Sequence, residues 1–192
     1  GVVAIYQKDR FDEYSNFARI GDGSLGGKGR GLAFMGAMVK RYPKLETENF
    51  NTNIPKTVVI CTDIFDEFME TNELLPVALS DADDETILKY FLRASLPASL
   101  IDDLMAFFDV VKSPIAVRSS SLLEDSHYQP FAGIYSTYMI PRLEDKYEML
   151  RLLSDAIKAV YASVFYRDSK GYMTATSNLI DQEKMAIVLQ EV

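Results

Sequence analysis

Two short constellations carry the residue types that hold a polyanion. The first is Gly26-Gly27-Lys28-Gly29, where flexible backbone can approach an anion closely and one ammonium stands in its middle. Leu32, Phe34, Met35, Met38 and Val39 recur at helical spacing, which puts a helix N-terminus and its positive dipole end just behind the loop. The second is Val117-Arg118-Ser119-Ser120-Ser121, an arginine that ends an apolar run and leads into three hydroxyls. A guanidinium keeps its charge at any physiological pH and offers a planar fork that grips phosphate bidentately. Each has a plainer reading. Lys28 could be a solvated lysine in a helix-entry loop, and Arg118 a strand-end arginine paired with Glu124 or Asp125.

Other chemistry finds less support. Gly21-x-Gly23-x-x-Gly26 matches the dinucleotide fingerprint, but Phe17-Ala18-Arg19-Ile20 reads as a poor buried strand and the helix begins several residues too late. A Walker A loop fails because Gly29 follows Lys28 and because Asp22 stands where a glycine is required. His127, the single histidine, falls in a polar stretch ending at Pro130 and reads as a solvated loop residue. Asp81, Asp83, Asp84 and Glu85 read as a solvated helix start, with no metal site predicted. Cys61 closes the apolar run Thr57-Val58-Val59-Ile60 and reads as a buried structural thiol.

These groups need elements to position them. A short buried strand is predicted over 57–60, followed by a helix capped by Thr62 or Asp63 that carries Ile64, Phe65, Phe68 and Met69. Helices follow at about 84–94 and 98–110. A strand over 114–118 is expected to pair as a hairpin with one over 132–140, and a long helix runs from about Leu143 to Phe165.

Hydrophobic residues make up 48% of the 192 and charged residues 25%, the balance of a chain that buries a core. The net charge of −8 and pI near 4.7, with no basic stripe, argue against a nucleic-acid partner. No apolar run approaches the roughly 18 residues of a membrane span, so a cytoplasmic protein with no membrane partner is expected. The chain opens on Gly1 without a Met and closes in the apolar run Met185–Val192, so more chain is expected to follow.

Several segments in order carry a family resemblance: Gly26-Gly27-Lys28-Gly29-Arg30-Gly31-Leu32, Ile54-Pro55, Ile115–Ser121 with Glu124-Asp125, and Phe131–Thr137. With Ala162-Ser163-Val164-Phe165 and Ile187–Val192 they resemble the N-terminal ATP-binding domain of phosphoenolpyruvate synthase and pyruvate phosphate dikinase, over nearly the whole chain from about residue 20. The resemblance implies an α+β, ATP-grasp-type first lobe, an antiparallel sheet packed with helices, spanning 21–192 behind an extension or linker at 1–20.

It further implies ATP and magnesium as cofactors, with the metal ligands in a second lobe. Lys28 and Arg118 would act on the phosphates. Gly26, Gly27, Ser119, Gly133 and Thr137 would belong to the loop and strands around the nucleotide. Gln190, Glu191 and Val192 would lie in the connection lining the adenine pocket. The implied partners are a phosphocarrier-histidine domain and a pyruvate-binding domain of the parent chain, with a homodimer left open. Half a clamp is expected to bind without measurable turnover. The segment Ser121 to Pro130, with Leu122, Leu123, His127 and Tyr128, departs from the family pattern. It keeps two alternatives open: a non-catalytic nucleotide-sensing module, and a same-fold phosphotransferase for a drug or glucan.

Overall fold

The structure is a computed structural model that describes residues 17–25, 56–121, 137–170 and 184–192. In chain order the described elements are β1 (Phe17–Ile20), β2 (Thr57–Ile60), α1 (Thr62–Thr71), α2 (Leu75–Ala78), α3 (Asp84–Arg93) and α4 (Ala98–Val110). They continue with β3 (Ile115–Ser121), β4 (Tyr138–Ile140), α5 (Lys146–Ser163) and β5 (Met185–Glu191). The helix expected over 32–39 and the loop at 44–53 lie outside the described residues.

The strands form one sheet in the order β1-β2-β5-β3-β4. The sheet is mixed, a correction to the wholly antiparallel expectation: β1 runs parallel to β2, while β2/β5, β5/β3 and β3/β4 are antiparallel. Phe17–Ile20 is a strand despite its weak pattern, because at the sheet edge only Ala18 and Ile20 need to be buried. The strand that opens at Ile115 runs three residues past Arg118, since Ser119, Ser120 and Ser121 pair with Ile187, Ala186 and Met185 of β5. β3 and β4 pair antiparallel as that hairpin requires, with Val117 opposite Tyr138 and Ile115 opposite Ile140, and residues 132–136 of the expected strand lie outside the described residues.

One sheet face carries the main core. Ile20, Val58, Ile60, Ile115, Val117, Ile187 and Leu189 meet Phe65 and Phe68 of α1, Phe91 of α3, Phe107 and Phe108 of α4, and Leu153, Ile157 and Tyr161 of α5. Rings nest here: Phe65 and Tyr161 meet edge to face at 5.1 Å, and Phe68 lies 5.9 Å from Phe91. Each fully buried Phe contributes about 1.5–3 kcal/mol of transfer free energy, which makes this cluster the main stabilising unit. Central β5 is covered on both faces from Met185 to Gln190, hence its unbroken apolar run. Its residues are larger toward the helices (Met185, Ile187, Leu189) and include Ala186 and Val188 on the other face.

Candidate functional site

The second sheet face holds the candidate site. Its buried centre is Val59, Ala186 and Val188, against which Phe17 and Leu25 pack. Arg118 pairs with Val188, Val188 with Val59, and Val59 with Arg19, so these four residues form one transverse row across β3, β5, β2 and β1. Opposed residues share a face, and Arg118 therefore projects on the side away from the helices. It is exposed, and no described residue forms an ion pair or hydrogen bond with its side chain. A guanidinium in that position is available to an anion.

The chain entering the glycine loop is fastened to this same face. Ser120, two residues beyond Arg118 and hence on its side of the sheet, donates from Oγ to the Leu25 carbonyl at 2.9 Å. Upstream, the start of α1 grips the loop residue by residue. The Asp63 carboxylate accepts from the N–H of Asp22 (2.9 Å) and of Gly23 (3.0 Å). Thr62 Oγ1 accepts from the Ser24 N–H at 2.9 Å, and the Thr62 N–H donates to the Ser24 carbonyl at 3.0 Å. These contacts require glycine. Gly21 has φ +96°, and a Cβ there would stand 2.4 Å from Asp63 Oδ1; a Cβ on Gly23 would stand 2.7 Å from the Asp63 nitrogen.

Thr62 and Asp63 were expected to cap the helix. The N-cap is Cys61, with no side-chain cap bond, because the Thr62 and Asp63 side chains serve the loop instead. Asp63 also helps to raise the Cys61 thiol. Burial is the main cause, and the pKa is pushed up to about 12, which fits a structural and unreactive cysteine.

Of the residues singled out from sequence, the structure brings Arg118 and Gln190 onto one face and sends others to the opposite one. Gln190 is buried between Thr57 and Ala116. Ser119 alternates with Arg118 and is buried on the helix-covered side. Thr137 is exposed and immediately precedes β4. Gln190 and Glu191 end β5 and are strand residues, not part of a connection. The Glu191 carboxylate accepts from the Lys112 N–H at 2.6 Å, and the half-exposed Val192 donates its N–H to the Pro114 carbonyl at 2.9 Å. Gly26, Gly27, Lys28, Gly133 and His127 lie outside the described residues.

The acidic run behaves as a helix start. Asp83 caps α3 by accepting from the Thr86 N–H at 2.8 Å, and hydrogen bonding from the Thr86 side chain, then from its N–H, holds the carboxyl below the usual range; Asp84 accepts from the Arg167 N–H at 2.7 Å. Among the described residues no three His, Cys, Asp or Glu side chains are gathered as a metal site, and no helix is long and apolar enough to cross a membrane.

Sequence reading missed Ser120, Thr62 and Asp63 as the residues that hold the loop. Ser120 was visible only as one of three hydroxyls, and nothing local announces a partner 95 positions away. Gly21 and Gly23 did carry a signal, since closely spaced glycines mark backbone that something approaches closely.

Comparison with known proteins gives the chain a family. The family model described as pyruvate phosphate dikinase, AMP/ATP-binding domain, matches residues 22–192. A curated relative, the uncharacterized phosphotransferase YvkC of Bacillus subtilis (strain 168), is 28% identical over 140 residues, which cover 71% of this chain and 15% of that protein. The chain thus spans about 15% of the length of the relative it matches. With a match over most of its length, the chain belongs to the AMP/ATP-binding domain family of pyruvate phosphate dikinase.

Proposed function

We propose that residues 21–192 form the first lobe of an ATP-binding phosphotransferase, in which Lys28 and Arg118 hold the nucleotide's phosphates. The observation that carries this reading is the Ser120 to Leu25 hydrogen bond, which anchors the residue before Gly26 on the Arg118 side of the sheet. A lysine and an arginine converging on one polyanion offset its charge and orient it for transfer, which is most of what phosphoryl transfer asks of a protein. Gly133 and Thr137 are assigned to the strand and turn over the nucleotide, and Gln190, Glu191 and Val192 to the adenine pocket.

Magnesium, held by ligands of a second lobe, would offset part of the phosphates' charge. The acceptor in this reading is a carrier histidine and then pyruvate, on further domains, in a cytoplasmic enzyme. YvkC is named as a phosphotransferase without an acceptor, which supports the reaction class further than it supports pyruvate. The lobe alone should bind nucleotide and turn over little.

The test is calorimetric titration of the 192-residue chain with magnesium-ATP and with adenosine, beside Lys28→Ala and Arg118→Ala variants of verified fold. Charged hydrogen bonds are worth about 1.5–3 kcal/mol, so each variant should weaken ATP binding about tenfold or more and leave adenosine unchanged. Undiminished ATP binding in both variants, or no ATP binding by the chain, would remove the proposal.

A further inference from the structure

We infer that Asp63 is a positioning residue for the glycine loop, fixing where Lys28 stands without itself touching the nucleotide; this rests on the reading of Lys28 as a phosphate ligand. Four consecutive residues, Asp22 to Leu25, are each bonded to a rigid element. Asp22 and Gly23 give their N–H groups to the two oxygens of Asp63, Ser24 uses both its backbone groups on Thr62, and the Leu25 carbonyl is held by Ser120. The next residue is Gly26. Lys28 follows Leu25 by three positions, so its Cα stays within about 11 Å of an anchored point.

The carboxylate is specific for this task. Asp22 and Gly23 each give an N–H to a different oxygen of the Asp63 carboxylate, so both of its oxygens act as acceptors here. An isosteric amide would turn an N–H₂ toward one of these donors. Gly21 and Gly23 lack the Cβ that would collide with Asp63, which lets the chain approach the carboxylate within hydrogen-bond distance. The helix start is built around this contact, since α1 has no side-chain cap of its own. Chain held before ligand arrives loses less freedom on binding.

The test is a double-mutant cycle of Asp63→Asn with Lys28→Ala in the 192-residue chain, read as affinity for magnesium-ATP and for adenosine. Asp63→Asn is expected to weaken ATP about tenfold, to leave adenosine unchanged, and to have no further effect once Lys28 is alanine. Unchanged ATP affinity, an equal loss for adenosine, or a full additional loss in the Lys28→Ala background would overturn the inference. If Lys28→Ala itself leaves ATP affinity intact, the phosphate reading fails instead. Amide hydrogen exchange without nucleotide gives a second readout. The Asp22, Gly23 and Ser24 amides should exchange about tenfold faster in Asp63→Asn, and unchanged protection there overturns the positioning role even if the chain binds no ATP. Should Asp63→Asn not fold, Thr62→Val, with Thr62→Ser as its conservative partner, takes its place in both measurements. Loss in Thr62→Val with rescue in Thr62→Ser supports the inference, and equal behaviour of the two overturns it.

Discussion

Ser120 Oγ donates a 2.9 Å hydrogen bond to the carbonyl of Leu25, joining the middle of the sheet to the residue before the glycine loop. The bond places the loop's entry and Arg118 on one side of the sheet. Replacing Ser120 by Ala leaves a part-buried carbonyl without this donor, which should cost about 1–2 kcal/mol. Urea unfolding should show a lower midpoint with unchanged slope, and magnesium-ATP should bind more weakly than to the parent chain.

Gly21→Ala should destabilise by at least about 1–2 kcal/mol, because φ +96° is strained for any residue with a Cβ and that atom would meet Asp63 Oδ1. Adding Asp63→Ala relieves the collision but not the dihedral. Thermal unfolding should therefore show the double variant to be more stable than the sum of the two single losses predicts.

Cys61 supplies a pH signature. Its folded pKa of about 12 lies above the ordinary value of 9.0, chiefly through burial and then through Asp63. Below pH 9 both folded and unfolded thiols are protonated and the contribution is intact. Between 9 and 12 the unfolded chain releases its proton first, so stability falls as pH rises. Denaturation curves at pH 8 to 11 should show this loss in the parent chain and a shallower one in Cys61→Ala. Iodoacetamide at pH 8 should label the thiol only after unfolding.

The Tyr161 hydroxyl is buried among Phe65 and Phe68 with no hydrogen-bond partner among the described residues, and burial raises its pKa. Tyr161→Phe removes an unpaired polar group and keeps the ring. Stability should stay level or rise by about 1 kcal/mol, read from the thermal midpoint. Phe68→Ala removes packing from the same cluster and should cost about 3–5 kcal/mol.

Much of the fold was legible because local pattern and tertiary demand agree. Val58 to Ile60 and Ile187 to Leu189 are apolar in runs because their strands are covered on both faces, and Leu100, Leu104, Phe107 and Phe108 repeat at helical spacing because α4 buries one stripe. The edge strand at Phe17–Ile20 has a weak sequence signal because it is only four residues long and just two of them, Ala18 and Ile20, are buried. Its parallel pairing with β2 is a long-range fact with no local mark.

The sequence by itself determined the chemistry on offer: a lysine among glycines, an arginine at the end of an apolar run, and the family to which their order belongs. Those are properties of residue type and spacing, which need no neighbours to be read. The tertiary structure alone decided which side chains share a face. A strand sends successive residues to opposite sides, so Ser119 turns toward the helices while Arg118 and Ser120 lie on the side where Leu25 is held. It alone decided that Thr62 and Asp63 hold residues 38 to 41 positions away instead of capping their own helix, because hydrogen-bond partners are chosen by proximity in space.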